Sequence, residues 1–317
     1  MTDASVSTAT STQDLLNKIV IEHFNEKKRK QKWRWIRRSF FFLVIIGVTL
    51  ALVKMFASEA AMRVKPHVGI VDLKGEIFDG LSASADNLTK SLRAAYEAKG
   101  LKAIILRIDS PGGSPVQADY MYNAIRYFRK EHPDVKYYAV CVDSCTSAAY
   151  YVAAAADEVY ASPSSLVGSI GVIYNGFGFV DAMQKFGVSR RLETAGANKG
   201  FMDQFSAVNP MQVKRLQVML DLIHQQFIDQ VKLGRGQRLK SDPDLFSGMI
   251  WTGTQAKELG LIDGFASAGQ LMRDVIKVDA AFDYTEKHSV FDKLVRNLGA
   301  EVVSQLPKAL GVHVGIQ

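Results

Sequence analysis

From His67 onward, short runs rich in Val, Ile and Tyr alternate with stretches of helical spacing, and this alternation constrains the fold more than any other feature of the chain. The runs HVGIVDLKGEIF (67–78), KAIILRID (102–109), VKYYAVCVD (135–143) and DEVYASPSSLVGSIGVI (157–173) read as strands or strand and loop, and 84–99, 115–130 and 147–156 read as helices between them. A connection long enough to join parallel strands is long enough to hold a helix, so the order predicts an α/β domain with largely parallel pairing. A longer helix is predicted from Pro210 to about Leu233, with Asn209 as N-cap and Pro210 in the first turn, where its missing N–H costs nothing. Leu216, Met219, Leu220, Ile223, Phe227 and Val231 recur on it at three-and-four spacing, which predicts one buried face. His224 lies beside that face and reads as a packing or surface residue. A last stretch, 288–310, repeats apolar residues at Phe291, Leu294, Leu298 and Val302 and reads as a helical extension able to dock on the domain, a partner or the bilayer, with the domain favoured.

The chain before His67 is of another kind. Residues 1–38 hold nine Lys/Arg against four Asp/Glu, and 27–38 alone carry eight positive charges without an acid, so no packed core starts there. The whole chain has a net charge of +7, of which this tail supplies +5, and the nearly neutral remainder excludes a basic nucleic-acid-binding domain. Phe40 to Val53 follows without a charge, and with its flanks, 39–57, it is just long enough to span a bilayer if Lys54 snorkels. The basic flank predicts that the N-terminus stays in the cytoplasm and that everything from about residue 60 lies outside. Ser58-Glu59-Ala60 resembles a signal-peptide cleavage site, but the region preceding it is too long for an ordinary signal, which favours a retained anchor. The overall composition, 48% hydrophobic and 22% charged, excludes both a disordered chain and a polytopic membrane protein.

Two segments can carry chemistry. In Ile108-Asp-Ser-Pro-Gly-Gly-Ser114 a strand gives way to a helix through paired glycines, where backbone N–H groups can approach a ligand with no Cβ in the way. In Cys145-Thr-Ser-Ala-Ala-Tyr-Tyr151 a serine follows a strand and opens a helix, so that Ser147, the Ala148 N–H and a Gly112 or Gly113 N–H can form a nucleophile and an oxyanion hole. A serine needs a base. None of His23, His67, His132, His224, His288 and His313 stands in a loop suited to the task, which leaves lysine. A lysine ordinarily titrates near 10.4 and acts as a base only where burial without a counter-ion favours the neutral amine. Lys199 is the candidate, in a small-residue loop (194–200) with no acid between Glu193 and Asp203. On spacing alone, a tight turn is the favoured reading of Gly112-Gly113 and a solvated surface residue that of Lys199. Cys141 and Cys145 lack metal-ligand spacing and read as packing residues, with a disulfide open to them in an oxidising compartment.

Taken together, IDSPGG (108–113), CTSAAYYVAAAADEVYASPSSLVGSIGV (145–172), GANKG (196–200) and WTGTQAKELGLIDG (251–264) resemble the signal peptide peptidase A family of serine-lysine proteases, in order and over roughly residues 66–280. The resemblance implies an α/β fold, a ClpP/crotonase-like spiral of β-β-α units, preceded here by one N-terminal transmembrane helix. The expected organisation is a basic cytoplasmic tail (1–38), the anchor (39–57), a protease domain (66–285) and a C-terminal helical extension (286–317). It also implies Ser147 as nucleophile, Lys199 as general base, Ser169 as the residue that orients the lysine, and Gly113 and Ala148 as oxyanion donors. No cofactor or metal is expected. In short members of the family the facing serine and lysine come from neighbouring protomers of a ring, thought to be an octamer. The function implied is a membrane-anchored endopeptidase of the bacterial inner membrane, with its catalytic domain in the periplasm, degrading cleaved signal peptides and other unstructured segments.

The chain departs from the family in one place: Ser147 is followed by Ala-Ala, where Gly-Gly is frequent. Alanine keeps the N–H, and the two added methyl groups are expected to narrow the cleft toward small substrate side chains. A catalytically impaired scaffold of the same fold is the alternative. Acyl-CoA chemistry on this fold is disfavoured by an external domain, because CoA esters are cytoplasmic.

Overall fold

The computed structural model describes residues 27–29, 32–33, 35–50 and 64–287, in two units, Met1–Met62 and Arg63–Gln317. In the first unit, residues 35–50 form helix α1, exposed along its whole length. Among the described residues no helix is long and apolar enough to cross a membrane. The expected anchor coincides with α1 over 39–50; its remainder, 51–57, lies outside the described residues, as do 1–26 and the extension from 288.

The second unit runs β1 (His67–Lys74), α2 (Ala85–Tyr96), β2 (Leu101–Ser110), α3 (Pro115–Glu131), β3 (Lys136–Thr146), α4 (Ala148–Ala153), β4 (Glu158–Ala161), β5 (Leu166–Gly168), α5 (Val180–Lys185) and α6 (Pro210–Arg235). It continues through β6 (Ile250–Thr252), α7 (Gly253–Glu258), β7 (Gly264–Phe265), α8 (Ala268–Gln270), a π-helical turn Leu271–Ile276 and β8 (Ala281–Asp283). Its sheet has the order β6-β5-β3-β2-β1-β8, with β4 paired to β3 and β7 to β4, and every pair is parallel except β5–β6.

Residues alternate across the pleat between two cores. Leu73, Leu106, Ile108, Tyr137 and Cys141 face the helical layer, while Ile70, Ile105, Tyr138 and Val140 face Leu271 on the other side. Burial on both faces is why the central strands read as nearly continuous apolar runs. The stretch 157–173 divides into two strands because Pro163, which has no N–H, cannot continue a ladder. Ser165 closes the turn, accepting from the Ser162 N–H at 3.0 Å and donating to the Cys141 carbonyl at 3.2 Å.

The predicted apolar face of α6 is buried only toward its end. Phe227 and Val231 are in the core, while Leu216, Leu220 and Ile223 are half-buried and Met219 is 52% exposed. The helix reaches the domain only at its C-terminal part, where a Cβ on Gly234 would lie 2.0 Å from the Ala154 carbonyl oxygen. The end of α6 is then locked by buried Arg235, which donates from Nη1 and Nη2 to Asp263 at 2.6 and 3.0 Å and from Nε to the Gly260 carbonyl at 3.0 Å.

Candidate active site

The site grows from the ends of two adjacent parallel strands. β2 and β3 run in register to Ile108 opposite Cys141; then β3 bulges, and pairing resumes with Ser110 opposite Cys145. The bulge is held by Asp109, whose carboxylate accepts from the Ser144 N–H at 3.2 Å. Beyond it β3 changes neighbour, from β4 to β5, so the strand end that carries Ser147 lies between β2 and β5.

After β2 the chain turns through Pro111-Gly112-Gly113 into α3, capped by Ser114, whose hydroxyl accepts from the Gln117 N–H. Ile77 holds this turn from outside: its N–H donates to the Gly112 carbonyl at 2.9 Å and its carbonyl accepts from the Ser114 N–H at 2.8 Å. Both glycines have positive φ, 102° and 149°. A Cβ on Gly113 would meet the Ile77 carbonyl oxygen at 2.2 Å, and one on Gly112 would meet the Ala148 nitrogen at 2.9 Å, so only glycine fits either place. The Gly112 N–H is taken by the Ser110 hydroxyl at 3.1 Å. Among the described residues the Gly113 N–H has no acceptor.

Ser147 stands between β3 and α4 with φ 54° and ψ −128°, a left-handed conformation that costs a non-glycine residue about 1–3 kcal/mol and persists only where its surroundings dictate it. Three bonds do so: its N–H donates to the Gly168 carbonyl at 2.8 Å, and its own carbonyl accepts from Tyr150 and Tyr151 at 2.9 and 3.1 Å. Its side chain is half-buried, and the Ala148 N–H beside it, in the first turn of α4, has no acceptor among the described residues. A reacting carbonyl at Ser147 would find two unpaired N–H groups, those of Gly113 and Ala148, whose turns touch. That is the donor set an oxyanion needs.

The Ala-Ala pair requires a correction to the sequence-based expectation. Ala148 and Ala149 are 4% and 0% exposed and belong to the main core, as does the rest of α4, so their methyl groups fill the interior and do not narrow the cleft.

Ser169 lies next to Gly168, the acceptor for the Ser147 N–H, and is also left-handed, with φ 52°. Trp251 packs where a Gly168 side chain would be, with Cδ1 at 2.7 Å from that Cβ position, and the Ser169 N–H donates to the Met249 carbonyl at 2.7 Å. Met249 and Ile77 support the site without any sequence signal of their own, because they act through backbone position, whereas Trp251 opens the segment 251–264 already singled out in the sequence.

Lys199 is placed differently. It lies in the segment 173–209, where the chain is largely exposed and bonds mainly to itself. The Phe179 N–H donates to the Gln204 carbonyl at 2.8 Å, Arg190 pairs with Asp203, and the Phe179 and Phe205 rings stack at 5.3 Å. Lys199 itself is exposed and, among the described residues, its side chain has no hydrogen bond or ion pair. The structure thus brings Ser147, Ala148, Gly113 and Ser169 together and records no bond from Lys199 to them within one chain. The arm around Lys199 also exposes large apolar side chains, among them Ile173 at 85%, Phe177 at 72% and Val208 at 79%.

Cys141 and Cys145 are free and buried under the strand ends. Burial, and then the hydrogen bond that it donates to Cys141, push the Cys145 thiol well above its ordinary range. Among the described residues no group of three or more His, Cys, Asp or Glu side chains gathers that could hold a metal ion.

Comparison with known proteins relates the chain to a peptidase family. Residues 130–280, which include Ser147, Ser169 and Lys199, match the profile of peptidase family S49, and 66–167 match that of Clp protease, giving the α/β sheet a ClpP-like fold. The chain is similar to a protein of Brucella abortus named Na(+)/H(+) antiporter NhaA, with 34% identity over 88% of this chain and 38% of that protein. It is also similar to the putative signal peptide peptidase SppA of Enterococcus faecium, with 27% identity over 62% of this chain and 57% of that one. The chain thus spans well under two thirds of either relative. Among solved structures, the 1510-N membrane-bound stomatin-specific protease aligns with 74% of this chain and 99% of its own at 16% identity and a TM-score of 0.40.

Proposed function

Because the chain belongs to peptidase family S49, the family of signal peptide peptidase A, we propose that it is a serine endopeptidase in which Ser147 is the nucleophile and Lys199 of a neighbouring protomer is the general base. The observation that carries this reading is the pair of unpaired N–H groups, Gly113 and Ala148, flanking a serine held in a strained turn. The exposed arm supports the second half of it. A lysine without a partner, on a segment with several bare apolar side chains, suits an interface between copies of the chain.

The chemistry is acyl transfer. Lys199 Nζ, neutral, takes the proton from Ser147 Oγ, which attacks the peptide carbonyl carbon. The resulting oxyanion accepts from the Gly113 and Ala148 N–H groups. As the intermediate collapses, the lysine ammonium protonates the leaving amine, and water, deprotonated by the same lysine, releases the acyl group. Ser169 Oγ orients the lysine. The protein works as a ring, an octamer by family resemblance, anchored in the bacterial inner membrane through 39–57 with its catalytic domain in the periplasm. Its substrates are cleaved signal peptides and other extended segments at the bilayer surface.

One observation favours the alternative, a catalytically impaired scaffold: within a single chain Lys199 bonds to none of the site residues. Hydrolysis of a signal-peptide-derived peptide by detergent-purified protein separates the two. Wild type is expected to cut, and folded Ser147→Ala and Lys199→Ala variants to lose roughly a thousandfold or more. Equal inertness of all three would leave the scaffold, and equal activity would remove Ser147 and Lys199 from the reaction.

A further inference from the structure

The turn Gly168–Gly171 carries Ser169, the strained residue proposed to orient the lysine, and its peptide groups are pinned from several elements. The Gly168 carbonyl accepts from the Ser147 N–H at 2.8 Å, the Ser169 N–H donates to the Met249 carbonyl at 2.7 Å, and the Gly171 N–H donates to the Ser169 carbonyl at 3.0 Å. A further hydrogen bond comes from a side chain. His224 on α6, half-buried, places Nε2 at 3.0 Å from the Ile170 carbonyl oxygen, so that Nε2 carries the proton and donates. Ile170 itself is fully buried, which fixes the far side of the turn, and Gly171 is pressed against Gly248, where an added Cβ would lie 3.0 Å from the Gly248 Cα.

A left-handed serine at φ 52° persists only if its neighbours over-determine it. Of the bonds that do so, the one from His224 comes from the helix that directly follows the Lys199 arm, whereas the others come from Ser147, from the strand side and from the turn itself. We infer that His224 is a positioning residue: through the Ile170 carbonyl it holds Ser169 in the conformation that aims its hydroxyl, and it ties that turn to the helix following the arm. The inference rests on the proposed serine-lysine reaction. It assigns work to a histidine that helical periodicity alone marks as packing.

The test is a double-mutant cycle on peptide hydrolysis by the full chain, with kcat, KM and the unfolding temperature measured for each variant. His224→Ala is expected to lower kcat about tenfold with KM within about twofold. His224→Gln, whose terminal nitrogen can reach the same carbonyl, is expected to restore most of that loss. Because His224 acts through Ser169, adding His224→Ala to Ser169→Ala is expected to cost little beyond Ser169→Ala alone. Multiplying effects in the double variant, an unchanged kcat in His224→Ala, or a loss that follows the unfolding temperature and is not restored by glutamine would each overturn the inference. If wild type does not cut the peptide and Ser147→Ala is no different, it is the underlying reaction that fails, and that result is distinct from all of these.

Discussion

Gly112 and Ser147 meet where neither has room for more: a Cβ on Gly112 would lie 2.8 Å from Ser147 Cβ and 2.9 Å from both the Ala148 nitrogen and the Thr146 carbonyl oxygen. This contact joins the glycine turn after β2 to the serine turn after β3, and it sets the spacing between the two unpaired N–H groups. Gly112→Ala must therefore push the turns apart, at a φ of 102° that disfavours alanine in any case. The expected result is a folded but destabilised protein with peptide hydrolysis reduced by roughly a hundredfold or more, since displacements of about 1 Å at a reacting centre cost that much. Wild-type activity in Gly112→Ala would show that the turn does not build the site.

The lock at the end of α6 makes stability depend on acid. Burial by itself would raise the Asp263 carboxyl, but the donated bonds and charge of Arg235, with the Val159 N–H, hold it below its usual range. A carboxyl lowered in the folded state contributes stability above its unfolded value, near 3.9, and loses it as pH falls through the folded value. The unfolding temperature should accordingly drop as pH is taken below about 4. Asp263→Asn should remove that component and destabilise the protein by about 3–5 kcal/mol at neutral pH, because it strands the buried Arg235 charge. Thermal unfolding followed across pH for both proteins checks this.

The two cysteines should be inert in the native protein. Both are buried, 1% and 0% exposed, and the Cys145 thiol is pushed upward, so little thiolate is available to attack a reagent. A thiol-specific reagent should label neither at neutral pH in the folded state and both after denaturation. Rapid labelling of the folded protein would mean that the strand ends beneath Ser147 open readily.

Much of this architecture was legible in the residues, for reasons that differ from element to element. β1, β2 and β3 announce themselves because strands buried on both faces need unbroken Val, Ile, Leu and Tyr, and the long helix α6 because Asn209 and Pro210 mark its start. The division of 157–173 into β4 and β5 was less visible, since one proline and a serine turn had to be weighed against a continuous β-rich run. The apolar stripe on α6 is buried only toward its end, because periodicity shows that a face is apolar and not what covers it. The serine turn and the glycine turn were readable from their motifs. The supports from Ile77 and Met249 were not, since they work through backbone groups that any sequence could supply at those positions. The placement of Lys199 depended on tertiary structure for the same reason that its loop looked featureless: small residues and no acid describe an exposed arm as well as a buried base.

The claim that matters most is that a working site takes Ser147 from one chain and Lys199 from another, and subunit mixing tests it directly. Ser147→Ala and Lys199→Ala proteins, each folded and inactive alone, are dissociated, combined in equal amounts and reassembled. Random mixing pairs an intact serine with an intact lysine at about one quarter of the interfaces, so hydrolysis should return to roughly that fraction of wild type. No recovery from any reassembled mixture, with the assembled size shown to be that of wild type, would contradict the shared site.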